Sequence, residues 1–508
     1  MSVFAAIDIG SNSVRLKIAR VVGHRLQTVL EDREVTRLGE SVFRSGILAP
    51  EAMDATVKVL RRFHRAVQDA GADQVRVVAT SALRDARNSS AFAAWVRSAT
   101  GWKVETVSGL EEGRLIHLGV LSGSRLNTTR VMLIDLGGGS CELTVSDRGH
   151  IREMVSLPLG AVRLTEEFLH HDPPTAVEIH RLLVNIGDEV DRVKGRILAA
   201  KVKWAVATSG TAAALAAAAR VVDAESRRSK GKPISRQAVV RLAEHLTSLD
   251  LKARRKLPGI GPRRAEIIVA GACVYAELME RCKLGSFRYS PLGLRDGLLA
   301  QMLAEHDRVT GPRRQIEAER ADAILALCKQ YRVDLKAAEG VRRLVLQLFR
   351  ELARVHTLPA EYEGWLSAAA MLNEAGTFVS RNGRHRHAYY IIANSEIFGF
   401  TPEQRKVIAA IARYLGKSRP HPDDPPIQAL SGENDEWVPR AVVLLRLAKA
   451  MNHGPEGNIS RVSAELDSQQ VVLKLTARKS ADLEMWLLQK EKDIFREVFG
   501  RELVVELA

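Results

Sequence analysis

Val3 to Ile7 is an unbroken apolar run, and one short polar loop later Val14, Leu16 and Ile18 alternate with Arg15 and Lys17. An apolar run followed by period-two alternation predicts two strands joined by a hairpin. The same pattern returns further on: Val131 to Ile134 enters a loop, and Cys141, Leu143 and Val145 alternate with Glu142 and Thr144 on the way out. Between the two copies the periodicity predicts a helix from Pro50 to about Ala70, a strand Val75 to Thr80, a helix around Ala91 to Thr100 and a strand Val104 to Val107. That is a βα rhythm. After the second copy come a strand Trp204 to Thr208, an alanine-rich helix beyond Thr211 and a long helix from Arg263 to Glu280. The fold class is therefore α/β, as two related lobes over residues 1–127 and 128–308. A linker near Arg308 to Arg314, with Gly311 and Pro312, opens an all-helical region over 309–455. Residues 456–508 read as a small α+β module: strands Ile459 to Leu466 and Val471 to Thr476, a helix Ala481 to Phe499 and a strand Leu503 to Leu507.

The loops inside the two hairpins are alike. They read Asp8-Ile9-Gly10-Ser11-Asn12-Ser13 and Asp135-Leu136-Gly137-Gly138-Gly139-Ser140. Glycines let backbone N–H groups approach an anion, hydroxyls add donors, and each Asp can hold a cation directly or through water. Two such loops facing one another would clamp a polyanion and its metal, with Gly10, Ser11, Asn12, Ser13, Gly137, Gly138, Gly139 and Ser140 against phosphate. Asp8, Asp135 and the neighbouring Glu142 are the candidate metal ligands.

Composition sharpens the choice of ligand. The chain has 508 residues, enough for about three or four domains. Its net charge of +15 and pI of about 9.8 favour polyanions. Four cysteines, Cys141, Cys273, Cys282 and Cys328, show no metal-ligand spacing and fit buried thiols of a reducing cytoplasm. No run of roughly 18 apolar residues and no basic segment ahead of one is present, so a soluble cytoplasmic chain with no membrane partner is expected.

Three further segments carry candidate chemistry. In Ser108-Gly109-Leu110-Glu111-Glu112-Gly113-Arg114 an acidic pair opens a helix; it could complement the helix dipole, or supply a carboxylate that deprotonates water. Ser209, Gly210 and Thr211, after a strand and before a helix, could be a simple cap or an anion-binding helix start. Arg84 follows a strand and could grip phosphate bidentately, or pair with Asp85. Leu257-Pro258-Gly259-Ile260-Gly261-Pro262-Arg263-Arg264-Ala265 resembles the DNA-backbone hairpin of helix-hairpin-helix modules, but it occurs once and reads better as a helix–turn–helix corner, so no specific nucleic acid is expected. The helical region resembles metal-dependent HD phosphohydrolases around His356, Asn373-Glu374 and Asn452, with Asn, Glu and Asn where His, Asp and Asp would bind metal. It is read as a degenerate HD-like domain. Arg381, Arg384, His385, Arg386, His387, Arg405, Lys406, Arg413, Lys417 and Arg419 make it basic, either as a solvated face or as a stripe for a long polyanion.

Taken in order and spacing, Asp8 to Ser13, Ser108 to Arg114, Asp135 to Ser140 and Ser209-Gly210-Thr211 resemble the exopolyphosphatase and guanosine pentaphosphate phosphohydrolase family. The resemblance implies duplicated actin-like lobes of ribonuclease-H type, an active site between them, Mg²⁺ (or Mn²⁺) dependence and release of a terminal phosphate. By motif it implies Glu112 as catalytic base and Asp135 as metal-associated carboxylate, with Glu111 a bystander. Inorganic polyphosphate is the expected substrate, hydrolysed processively, with guanosine pentaphosphate the alternative; a nucleic-acid-binding protein without activity is the third reading. A homodimer is the expected assembly.

Overall fold

The structure is a computed structural model that describes residues 2–124, 126, 130–222, 233–307, 311–430, 432–453 and 457–507. Two compact units span residues 1–316 and 317–508. The expected lobe boundary at 127/128, the start of the linker at 308–310 and the boundary at 455/456 lie outside the described residues.

The first unit is built on two sheets of the same plan. Strands β1 (Val3–Ile9), β2 (Ser13–Val22), β3 (Arg25–Val35), β4 (Gln74–Ala79) and β5 (Val104–Thr106) take the order β3-β2-β1-β4-β5. The pairs β1–β2 and β2–β3 are antiparallel, and β1–β4 and β4–β5 are parallel. The second sheet repeats this with β6 (Arg130–Leu136), β7 (Cys141–Asp147), β8 (His150–Leu157), β9 (Trp204–Thr208) and β11 (Ser286–Tyr289), and adds a short edge strand β10 (Ile234–Ser235). This is the duplicated ribonuclease-H-type topology of actin-like lobes.

Packing explains why the strands are so apolar. All seven residues of β1 are buried because helices cover both faces of its sheet. On one face Ile7, Val14 and Leu16 meet Leu60, Phe63 and Phe92 of the helices Pro50–Asp69 and Ser89–Thr100. On the other, Phe4, Ala6 and Val78 meet Leu115 and Leu298 from the helices Gly109–Ser122 and Leu294–His306, which in turn touch Leu133 and Val206 of the second sheet. Those two helices lie between the sheets and approach backbone to backbone. A Cβ on Gly297 would stand 1.8 Å from Leu115 O, so only glycine fits there. Covered on that side, Glu142 and Thr144 are as buried as the apolar residues they alternate with.

Three elements differ from the periodicity. The long helix starts at Ile268, not Arg263, because Gly261 at φ +66° and Pro262 hold residues 262–267 in turns. Gly311 to Arg314 belong to the helix Gly311–Gln330 and not to a linker; Pro312 sits in its first turn, where no N–H is required. The terminal helix is two, Asp482–Gln489 and Lys492–Phe499, with Glu491 at the break paired to Arg446 Nε at 2.6 Å.

The second unit packs its helices and the sheet β12 (Ile459–Leu466), β13 (Gln470–Ala477) and β14 (Glu502–Leu507) around one core. In the HD-like region His356 is a structural side chain: Nε2 donates to Phe349 O at 2.7 Å and Nδ1 accepts from Leu358 N at 2.9 Å. Lys449 puts its ammonium on Glu374 and 3.1 Å from Asn373 Oδ1. Asn452 turns to Ala337 O at 2.9 Å. Several of the basic residues are already ion-paired, Arg384 with Glu374 and Arg419 with Glu497.

Candidate active site

The two hairpins close alike, Gly10 N donating to Ser13 O at 3.1 Å and Gly137 N to Ser140 O at 3.0 Å. Across β1–β2, Asp8 faces Arg15, and across β6–β7, Asp135 faces Glu142. The duplication thus keeps an aspartate at one position and places opposite charges at the other. The loops abut in the cleft between the lobes: a Cβ on Gly138 would stand 2.9 Å from Ser11 Cβ, and Ser11 Oγ lies 2.9 Å from Ser81 Oγ.

A cavity of about 60 Å³ opens at this junction. It is lined by Asp8, Gly10, Ser11, Asn12, Ser13, Glu112, Asp135, Gly137, Gly138, Ser140, Ser209 and Gly210, and also by Arg15, Thr80, Ser81 and Arg264. About 10–15 Å³ of such space holds one water, so the cavity has room for a few waters or for one small anionic group such as a phosphoryl. A wider chamber of about 560 Å³ continues from it through Asp8, Arg15, Ser209, Gly210 and Leu294, and carries Arg33, Arg263, Arg295 and Tyr289.

Glu112 reaches the cavity from the Gly109–Ser122 helix, whose start is capped by Ser108 Oγ accepting from Glu111 N at 3.1 Å. Adjacent helix residues diverge by about 100°, and the acidic pair splits accordingly. Glu111 takes the fully buried Arg114 through both oxygens at 2.8 Å each, and Arg114 also donates to Gln301 Oε1 at 2.8 Å. Glu112 turns inward, buried, its Oε2 without a hydrogen-bond partner and 3.6 Å from Arg84 Nη1.

Glu112, Asp135 and Glu142 bring carboxylate oxygens within 4.8 Å of one another, the one such cluster among the described residues. Burial raises the pKa of all three. Glu112 is driven well above the usual carboxylate range, with Glu142 adding to the effect and Arg84 opposing it. Glu142 is pushed up to about 7 by burial and by Asp135, against hydrogen bonds from Ser156 and Ser140. Asp135 is raised by burial despite the hydroxyl of Thr208 on its Oδ1. Asp8 is also raised by burial, with Arg15 and Arg295 opposing. Orphaned buried oxygens on Glu112 and Glu142 and an all-carboxylate donor set fit a hard divalent cation such as Mg²⁺ or Mn²⁺.

Other expected residues stand further back. Arg84 supports the wall, Nη1 donating to Val107 O at 2.9 Å and Nη2 to Ser140 Oγ at 3.5 Å. Gly139 is off the cavity because its Cα packs on Phe43 and Ser81, and its carbonyl accepts from Arg163 Nε at 2.8 Å. Thr211 is buried behind the helix start, its methyl group against Gly271. Ser209 does line the cavity, with its hydroxyl donating to Leu136 O at 2.7 Å. Arg15 and Arg264 were not among the expected site residues. Arg15 shares a face with Asp8 by hairpin register, a signal legible in the strand parity. Arg264 comes from the Leu257 to Ala265 segment, which forms a corner rather than a DNA hairpin; it fills the space above Gly210, where a Cβ would stand 1.8 Å from Arg264 Nη2. Burial, with Arg15 and Arg33 nearby, lowers the Arg264 pKa to about 9.

Residues 17–306 match the model of the Ppx/GppA phosphatase family, and residues 320–493 match domain III of that phosphatase. The chain belongs to the Ppx/GppA phosphatase family. Over 509 residues it is 26% identical to the guanosine-5'-triphosphate,3'-diphosphate pyrophosphatase of Vibrio vulnificus (strain YJ016), covering 99% of this chain and 98% of that protein. The protein of the same description from Pseudoalteromonas translucida (strain TAC 125) is 28% identical over 424 residues, 81% of this chain and 80% of the relative. Among solved structures, the Aquifex aeolicus Ppx/GppA family member is 30% identical with a TM-score of 0.50, covering 60% of this chain and 99% of its own. An exopolyphosphatase from Cytophaga hutchinsonii shares the fold at 22% identity and a TM-score of 0.56, over 60% of this chain and 98% of its own. Ppx/GppA membership makes the chain a phosphatase-family hydrolase. No helix among the described residues is long and apolar enough to cross a membrane.

Proposed function

We propose that the protein hydrolyses the terminal phosphoanhydride of guanosine pentaphosphate, releasing orthophosphate. The observation that carries the hydrolytic reading is Glu112, a buried carboxylate with a raised pKa at a one-phosphate cavity between two phosphate loops. The nucleotide is favoured by near-full-length relatives that carry that description. This revises the expectation of polyphosphate drawn from charge. Polyphosphate stays as the second reading, because the wider chamber is lined by Arg15, Arg33, Arg263 and Arg295, which suit successive phosphates as well as a 3'-diphosphate.

In this reading the loops Gly10 to Ser13 and Gly137 to Ser140, with Arg15 and Arg264, seat the terminal phosphoryl group. Glu112 accepts a proton from the attacking water, in line with the leaving oxygen. Burial raises its pKa and so strengthens it as a base, while Arg84 opposes that rise by favouring the charged form. Asp135 and Glu142, with Asp8 nearby, would hold Mg²⁺ or Mn²⁺, which supplies neutralisation of the charge developing on the phosphoryl oxygens.

The test is orthophosphate release from guanosine pentaphosphate and from long-chain polyphosphate side by side, with and without Mg²⁺, using Glu112→Gln as control. A higher kcat/KM on the nucleotide, lost in the variant, is the expected result. Preference for the polymer would move the assignment to exopolyphosphatase. Release from neither by the folded protein would overturn the hydrolytic reading.

A further inference from the structure

Glu142 is held on one side only. Its Oε1 accepts from Ser156 Oγ at 2.8 Å, while Oε2 is buried with no hydrogen-bond partner. Ser156 is its direct cross-strand neighbour in the β7–β8 register, so the contact is built into the sheet. The same hydroxyl decides how closely the Glu112 helix can approach. Gly109, at the start of that helix, lies over Ser156: a Cβ there would stand 2.2 Å from Ser156 Oγ and 3.6 Å from Glu142 Oε1. One turn on, a Cβ on Gly113 would stand 3.0 Å from Met154 Sδ and 3.5 Å from Thr144 Oγ1. Two glycines four residues apart thus let the helix settle on β7 and β8 around Ser156, and that contact brings Glu112 against Glu142.

We propose that Ser156 is a positioning residue for the cation site: it fixes the Glu142 carboxylate so that Oε2 is the oxygen presented to a divalent ion beside Glu112 and Asp135. This rests on the metal-dependent reading above. A carboxylate anchored through one oxygen keeps the other aimed, and loss of such a donor typically weakens metal binding by about tenfold to a hundredfold. It also assigns a purpose to the glycine of Ser108-Gly109, which the catalytic role of Glu112 leaves unexplained.

The experiment measures Mn²⁺ binding to the full chain by titration calorimetry and, separately, the Mg²⁺ concentration giving half-maximal phosphate release. Ser156→Ala is expected to weaken Mn²⁺ about tenfold and to raise the Mg²⁺ requirement by a similar factor, with kcat recovering at saturating Mg²⁺. Gly109→Ala, whose Cβ would meet Ser156 Cβ as well as its hydroxyl and so push the Glu112 helix off β8, should weaken Mn²⁺ similarly but lower kcat even at saturating Mg²⁺, and an unchanged circular dichroism spectrum of Ser156→Ala separates its effect from a folding defect. Mn²⁺ affinity and Mg²⁺ requirement unchanged in both variants, with the wild type binding Mn²⁺, would overturn the role of Ser156 and leave the metal site standing. A wild type that binds no Mn²⁺ and works without Mg²⁺ would overturn the metal reading itself.

Discussion

Arg84 Nη1 lies 3.6 Å from Glu112 Oε2, the buried oxygen that no hydrogen bond satisfies. The fork also holds Val107 O and Ser140 Oγ, so a single guanidinium ties the base to the second phosphate loop. A lysine keeps the charge but cannot span three partners. Arg84→Lys is expected to lower kcat/KM by about a hundredfold, with Arg84→Ala lower still, as read by initial rates of orthophosphate release.

The acidic pair should separate cleanly by mutation. Glu112→Gln removes one of three clustered buried carboxylates; it should cut kcat by about 10³ while raising the melting temperature of the metal-free protein. Glu111→Gln does the reverse. It takes one charged partner from the buried Arg114, which keeps Gln301, at a cost of about 1–3 kcal/mol, with turnover per folded molecule near wild type. Denaturant melts and rate assays on the two variants test this pairing, and equal loss of activity in both would contradict it.

Stability without metal should fall as pH rises. Glu142 titrates near 4.5 in an unfolded chain and at about 7 in the folded one. Between these values the unfolded state releases a proton that the native state retains, so the stabilisation present below pH 4.5 is lost progressively up to about pH 7. In EDTA the melting temperature should drop by roughly 5 °C from pH 5 to pH 7.5. Mg²⁺ competes with the proton for the same oxygens, so its stabilising shift should be larger at pH 8 than at pH 5. Scanning fluorimetry across pH, with EDTA or Mg²⁺, reads both effects; a flat profile in EDTA would contradict the prediction.

In the second unit, Lys449 pairs with Glu374 and donates to Asn373 Oδ1. Lys449→Met removes the ammonium from Glu374 and Asn373 and should destabilise that unit by about 1–2 kcal/mol, less than a fully buried pair because the Glu374 side chain is 39% exposed. Added Mg²⁺ or Mn²⁺ should not restore it. Equilibrium unfolding of the full chain, followed for the transition of this unit, is the measurement.

Local pattern alone was enough for the two hairpins, the βα rhythm between them and the glycine- and serine-bearing loops, because strand parity, turn glycines and helix periodicity are read within a dozen residues. The same is true of Asp8 and Asp135 as candidates and of the acidic pair Glu111-Glu112, within which only the family resemblance pointed to Glu112. Helix register then separated Glu111 from Glu112, but their different fates depended on Arg114 and Gln301, the latter 190 positions beyond Glu111. Tertiary packing alone decided that Glu142 is buried on the polar face of its strand, that Arg264 lies against Gly210, that Thr211 and Gly139 turn away from the cavity, and that Lys449 pairs with Glu374. Those outcomes rest on which surface covers which, and burial is a property of the neighbour across space, not of the neighbour in sequence.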